Sequence, residues 1–286
     1  VKGLFISVEG GDGAGKTTQI AALQQWLTRG GREVVVTREP GGTALGVAIR
    51  EALLHSGEVS PRAEALLYAA DRAHHVASLV RPALERGAVV ISDRYFDSSV
   101  AYQGAARSLG KEEVRQLSLW ATDGLVPQLT VLLDVPVAVG ASRVGGERDR
   151  IESAGLEFHE AVRAEFLHLA AAEPERWVVV DGTLAVDEVT ARVCEAVRAR
   201  LLDADGTSAG VDVLLPDVNI AEVAGDRDAN TQGADAPGTD APAAASDARA
   251  ASQGTPAEAG RATDGDLEST LRGGEGSEAT AKGTRS

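Results

Sequence analysis

The chain has 286 residues, a formal net charge of −15, one cysteine and no methionine. A single cysteine excludes an internal disulfide framework, and the acidic balance excludes a basic field over the whole surface for nucleic acid. No apolar run approaches the roughly 18 residues of a membrane-spanning helix.

The charge is unevenly placed. Positions 205–286 hold 15 acidic and 6 basic residues, −9 of the total, and none of the ten aromatic residues. This stretch of Ala, Gly, Asp, Thr and Pro has too little large apolar surface to offset the entropy of ordering it. It is read as a disordered acidic tail. Residues 1–204 suit one compact domain, and with no leader-like segment before the first strand the protein is expected to be cytoplasmic.

Short runs rich in Val, Ile and Leu recur at 4–8, 33–37, 88–92, 129–134 and 177–180. They lack period-2 alternation, as strands covered on both faces do. Helical segments are predicted between them at 17–28, 45–54, 63–84, 111–122, 137–144 and 156–172. A last helix, 186–202, puts Val186, Val189, Val193, Val197 and Leu201 on one stripe. The alternation predicts an α/β fold, a parallel sheet with helices on both faces and ligands at the carboxyl ends of the strands. Cys194 lies on an apolar helix face and reads as a small buried hydrophobe.

Between the first strand and the first helix stands Gly10-Gly11-Asp12-Gly13-Ala14-Gly15-Lys16-Thr17. This is the G-x-x-x-x-G-K-[ST] spacing in the strand–loop–helix context it requires. Glycines let the backbone turn its N–H groups inward around a phosphate chain, and the helix adds the positive end of its dipole. Lys16 then reaches the β- and γ-phosphates, and the Thr17 hydroxyl is placed to ligate Mg²⁺.

The second strand ends in Thr37-Arg38-Glu39-Pro40-Gly41-Gly42-Thr43. Pro-Gly-Gly predicts a rigid turn followed by flexible backbone. Arg38 either faces an anionic substrate or is a solvated loop residue, and Arg50 on the next helix is ordinary in isolation. In Tyr68-Ala69-Ala70-Asp71-Arg72, Tyr68 and Arg72 share a helix face at i and i+4. They are either a ring that stacks a base with a guanidinium at its edge, or a core Tyr and a surface Arg.

The third strand ends in Asp93-Arg94-Tyr95. A carboxylate at such a strand end beside a phosphate loop is where Mg²⁺, through water, or the substrate phosphoryl region is expected, and Arg94 offers a planar fork for a phosphate; the alternative is a structural Asp-Arg ion pair. Ser98-Ser99-Val100-Ala101-Tyr102-Gln103-Gly104 follows. The Gln103 amide, donor and acceptor at once, suits the edge of a nucleobase, while Tyr102 limits the room around a sugar or packs in a core.

Arg143, Arg148 and Arg150 flank Gly145-Gly146 in a segment with the makings of a lid that brings positive charge to a transferring phosphoryl group. The alternative is a charged surface loop. His55, His74, His75, His159 and His168 show no metal-ligand spacing and are read as structural or exposed.

Together, Val8-Glu9-Gly10-Gly11-Asp12-Gly13-Ala14-Gly15-Lys16-Thr17-Thr18, Arg38-Glu39-Pro40-Gly41-Gly42, Tyr68 to Arg72, Asp93-Arg94-Tyr95, Ala101-Tyr102-Gln103-Gly104 and Asp149-Arg150-Ile151-Glu152 resemble the bacterial thymidylate (dTMP) kinase family, from Gly3 to about Leu202. The resemblance implies a five-stranded parallel sheet, a homodimer, and Mg²⁺-dependent transfer of the ATP γ-phosphoryl group to dTMP. It implies ATP held by Gly10 to Thr18 and Arg143, with Lys16, Asp93, Arg94 and a lid arginine, Arg148 or Arg150, serving the chemistry. It implies metal at Thr17 and Asp93. On the dTMP side it puts Asp12 on the 3′-hydroxyl, Arg50 and Arg94 on the phosphate, Tyr68 under the base, Arg72 and Gln103 at its edge, and Tyr102 against a 2′-hydroxyl, with Arg38 and Ser99 in the same cleft. No basic residue precedes Lys16 in the loop, which matches the lid-arginine type. Tyr68 stands where Phe is usual, and the acidic tail has no counterpart in the minimal family.

Another P-loop kinase shares Lys16 and Thr17 but leaves Tyr68, Arg72 and Gln103 unexplained. A GTPase reading fails because the only asparagines, Asn219 and Asn230, lie in the tail.

Overall fold

A computed structural model describes residues 3–145 and 149–205. Strands β1 (Leu4–Glu9), β2 (Val34–Arg38), β3 (Val89–Asp93), β4 (Leu129–Asp134) and β5 (Trp177–Asp181) form one sheet in the order β2-β3-β1-β4-β5. Every pairing is parallel. The connecting helices are α1 (Lys16–Arg29), α2 (Ala44–His55), α3 (Pro61–His75), α4 (Arg81–Glu85), α5 (Phe96–Ser99), α6 (Lys111–Ala121), α7 (Val137–Arg143), α8 (Leu156–Ala172) and α9 (Val186–Asp205).

The central strand shows why alternation is missing from the sequence. Leu4, Ile6 and Val8 of β1 pack with Leu23, Trp26 and Leu27 of α1 and Val193, Val197 and Leu201 of α9. Phe5, on the opposite face, packs with Leu53 of α2, Tyr95 and Phe96, and Phe166 of α8. Successive strand residues point to opposite faces, so a strand covered twice is buried at every position and apolar at most of them. Burying each large side chain contributes about 1.5–3 kcal/mol.

Three expectations are corrected. The helix predicted over 63–84 ends at His75, passes through a π-helical turn, Val76–Val80, and resumes as α4. Pro82 lacks the N–H that would continue the ladder of a single helix. The turn after Pro40 is tight rather than flexible: a Cβ on Gly42 would lie 2.5 Å from Thr37 Oγ1 and 2.8 Å from the Arg38 carbonyl oxygen. On α9 the buried stripe begins at Val189, and Val186 is exposed.

Cys194 is buried among Val189, Val193 and Val197. Burial pushes its thiol up to about 12, so the thiolate, the reactive form, is suppressed. The segment around Tyr102 is a second π-helical turn, Val100–Ala106, continuing α5. It carries Tyr102 and Gln103 inward over the carboxyl ends of the strands.

Candidate active site

The loop between β1 and α1 opens onto a cleft of about 730 Å³ lined by Asp12 to Thr18, Arg38, Arg50, Asp93, Arg94 and Arg143. Gly13 approaches α7 so closely that a Cβ there would lie 2.1 Å from the Gly140 carbonyl oxygen, and its φ of +72° favours glycine in any case. Lys16 folds back over its own loop. Its Nζ donates to the carbonyls of Gly10 at 3.2 Å and Gly11 at 3.1 Å, so these glycines hold the lysine. Burial, and then the nearby Arg94 charge, pulls the Lys16 ammonium down to about 8 against the opposing pull of Asp93, Asp12 and Glu9.

Arg94 stands just past β3 with a left-handed backbone, φ +68°. Its guanidinium donates to the Gly10 carbonyl at 3.0 Å, Ser98 Oγ at 3.2 Å and Asp12 Oδ1 at 2.8 Å, and lies 5.2 Å from the Tyr102 ring centroid. Burial alone would raise the Asp12 carboxyl, but Arg94 and Lys16 outweigh it and hold the group below its ordinary range. Beneath this contact lies Glu9, fully buried. It accepts from the Tyr95 N–H at 2.8 Å and Ser98 Oγ at 2.6 Å. Burial, with Asp97 nearby, pushes its carboxyl up to about 8.

A second cavity, about 120 Å³, adjoins the first and is lined by Tyr68, Arg72, Ser99, Tyr102 and Gln103 among others. The two share Asp12, Glu39, Arg50, Arg94 and Glu152. Arg72 is buried rather than a surface residue, and its nitrogens are engaged: Nε with Glu39 Oε2 at 2.7 Å, the others with Ser118 Oγ at 3.1 Å and Ser99 Oγ at 3.0 Å. A guanidinium carries five N–H donors, so these bonds leave others for a ligand. His75 Nδ1 pairs with the other Glu39 oxygen at 2.8 Å, and its Nε2 with Thr37 Oγ1 at 2.7 Å. Burial pushes the Tyr68 hydroxyl up to about 12, so the ring is neutral at physiological pH.

Around the 730 Å³ cleft, Arg50 donates to the Pro40 carbonyl at 3.1 Å. Arg143 reaches the Gly182 carbonyl at 3.0 Å and the Gly13 carbonyl at 3.4 Å. Arg150 does not turn toward the cleft: it donates to the Leu53 carbonyl at 3.0 Å and pairs with Glu64 at 2.5 Å. The Asp149 Oδ1 accepts from the N–H groups of Ile151 and Glu152 at 2.7 and 2.8 Å. Arg148 lies outside the described residues.

The residues that sequence reasoning missed are buried acids: Glu9, Glu39 and Glu64. Glu9 and Glu39 lie within the strings around Gly10 and Pro40, but nothing in the sequence marks them as partners of Ser98 or Arg72. Glu64 had only its i, i+4 relation to Tyr68.

A phosphate loop facing a smaller cavity across shared arginines, at the carboxyl edge of a parallel sheet, defines a P-loop kinase fold with two adjoining cavities. Comparison with known proteins narrows the class. The family model described as Thymidylate kinase matches residues 8–193. The chain is 59% identical over 211 residues to the thymidylate kinase of Clavibacter michiganensis subsp. michiganensis, covering 72% of this chain and 99% of that one. It is 60% identical over 195 residues to that of Leifsonia xyli subsp. xyli, covering 67% and 92%. With the Deinococcus radiodurans protein the figures are 52% over 202 residues, covering 70% and 98%. The chain belongs to the thymidylate kinase family, phosphotransferases that convert dTMP to dTDP with ATP as phosphate donor.

Proposed function

We propose that the larger cleft takes ATP and the smaller cavity takes dTMP, so that the γ-phosphoryl group is passed across Asp12 and Arg94. The observation that carries this reading is the sharing of those two residues, with Arg50, by both cavities. In this reading Gly10 to Thr18 wrap the ATP phosphates, Lys16 supplies charge to the transferring group, and Arg143 lies against the adenine. Arg94 and Arg50 hold the dTMP phosphate and Asp12 its 3′-hydroxyl. Tyr68 stacks the base, Arg72 and Gln103 read its edge, Tyr102 stands where a ribose hydroxyl would go, and Arg38 and Ser99 complete the walls. Of the two lid arginines, Arg150 is committed to Glu64, which leaves Arg148 as the one proposed to meet the γ-phosphoryl charge.

Mg²⁺ fits this donor set. Asp93 Oδ1 is buried without a hydrogen-bond partner, and Thr17 lines the same cleft. Mg²⁺ is commonly bound by one or two protein oxygens with substrate phosphates and water completing the shell. When bound it would neutralise charge developing on the phosphate oxygens.

The reading includes a homodimer and a cytoplasmic location. Leu45 and Val47 on α2, Leu66 on α3 and Trp120 on α6, 82% exposed, are large apolar side chains facing outward on neighbouring helices, as a self-association surface requires. The segment beyond 205 is proposed to stay outside the chemistry. Sedimentation and kinetics of the chain cut after Asp205 test both: a dimer with kcat unchanged is expected, and a monomer or an inactive chain would contradict them.

The assignment of the two chambers is tested by calorimetry on variants. Arg143→Ala is expected to weaken ATP while sparing dTMP, and Gln103→Leu to do the reverse. Variants that weaken both ligands alike would overturn it.

A further inference from the structure

Glu64 stands on α3 with no solvent exposure. Its carboxylate gathers three side chains from two separate parts of the chain. Oε1 accepts from Gln103 Nε2 at 2.7 Å, Oε2 meets the Arg150 guanidinium at 2.5 Å, and Arg107 Nε lies 3.6 Å from Oε1. A carboxylate ion-paired to two guanidinium groups accepts hydrogen bonds and does not donate them.

That decides how Gln103 is turned. With its NH₂ bound to Glu64, its carbonyl oxygen is the end left for a ligand in the cavity that Gln103 lines. The opposite flip would set two buried acceptors against each other with no proton between them. Gln103 is itself 2% exposed, so water cannot relieve that clash.

We infer that Glu64 is a positioning residue for specificity: by holding the Gln103 amide in one orientation, it makes the acceptor cavity take a pyrimidine that donates at N3, as thymine does, and refuse one that accepts there, as cytosine does. The inference rests on the reading of this cavity as the base site. Glu64 does not line the cavity itself and sets the hydrogen-bond polarity there through Gln103. The same carboxylate anchors Arg150, so the segment 149–152 and the base-reading amide share one buried anchor.

The test compares kcat/KM for dTMP and for dCMP in the wild type, Glu64→Gln and Gln103→Leu, with thermal melts of each. Glu64→Gln is isosteric, but its amide both donates and accepts, so Gln103 becomes free to turn. The preference for dTMP over dCMP is expected to fall by about tenfold or more, because a site built around one hydrogen-bond polarity discriminates strongly only while that polarity is fixed. Most of the loss should lie in KM for dTMP. If Glu64→Gln keeps the preference within about twofold while Gln103→Leu loses it, Glu64 is not the determinant and the base-site reading survives. If neither variant moves the preference, the base-site reading fails and takes the inference with it. Should Glu64→Gln not fold, the double variant Glu64→Gln/Gln103→Glu restores one acid and one amide at the same contact, with a fixed acceptor on the cavity side. Preference kept there supports the inference; preference lost overturns it.

Discussion

The Arg94 guanidinium meets the Asp12 carboxylate at 2.8 Å, so a residue after β3 is tied to the centre of the phosphate loop. A second nitrogen of the same group is shared between the Gly10 carbonyl and Ser98 Oγ. Arg94 is thus oriented before any substrate arrives, which removes part of the entropic cost of ordering a long side chain. Lysine carries the charge without the planar fork. Arg94→Lys is expected to lower kcat/KM for dTMP by roughly 10²-fold, measured by steady-state kinetics. A loss within about threefold would mean that Arg94 does not contact the transferring region.

Lys16 is proposed to supply the second charge. Lys16→Ala is expected to reduce kcat by roughly 10²-fold or more with the fold intact, since its charge stabilises negative charge that grows toward the transition state. With its ammonium pulled down to about 8, the charged form of the free enzyme is lost as pH rises through that value. The kcat/KM profile for ATP should therefore fall on an alkaline limb near pH 8 that Lys16→Ala lacks. A variant with the same limb would assign it to another group.

Glu9 gives stability a pH dependence. Its carboxyl is raised from 4.5 to about 8 in the folded protein, so between those values the native state binds a proton that the unfolded state has released. The resulting contribution is full below about pH 4.5 and is lost as pH rises through about 8. Thermal melts at pH 5 and pH 8 should show Glu9→Gln losing several degrees less than wild type over this interval. Parallel losses would place the proton elsewhere.

Arg72 should carry stability as well as its proposed role at the base edge. It is 1% exposed and joined to Glu39, which also holds His75. Removing one partner leaves a buried charge uncompensated, which typically costs about 3–5 kcal/mol. Arg72→Ala is expected to lose about that much in denaturant unfolding and to raise KM for dTMP more than for ATP. An unchanged midpoint would show that Glu39 finds another partner.

What was legible in the sequence was contiguous. Gly10 to Lys16 between an apolar run and a helix, and the strand-end string Asp93-Arg94, could be read because each places its groups within a few residues of one another. The five strands were found to within one residue at each end, since apolar runs report burial directly. The pairings were not legible. Arg72 and Glu39 lie 33 residues apart and Gln103 and Glu64 39 apart, and packing of α3 against α2, α6 and the two π-helical turns brings them together. Nor does the string Arg148-Asp149-Arg150 tell that Arg150 turns to Glu64 while Asp149 serves backbone N–H groups. The π-helical turns at Val76–Val80 and Val100–Ala106 escaped for a related reason: the spacing of apolar residues along the string does not separate a π-turn from an α-turn.

The most direct test of the two-chamber account is ADP release from ATP with Mg²⁺, followed across dTMP, dCMP, AMP and GMP at matched concentrations. The proposed acceptor site, the cavity of about 120 Å³ with Tyr68, Arg72, Tyr102 and Gln103 in its walls, predicts turnover of dTMP well ahead of the other three. Equal turnover of the purine monophosphates would contradict it.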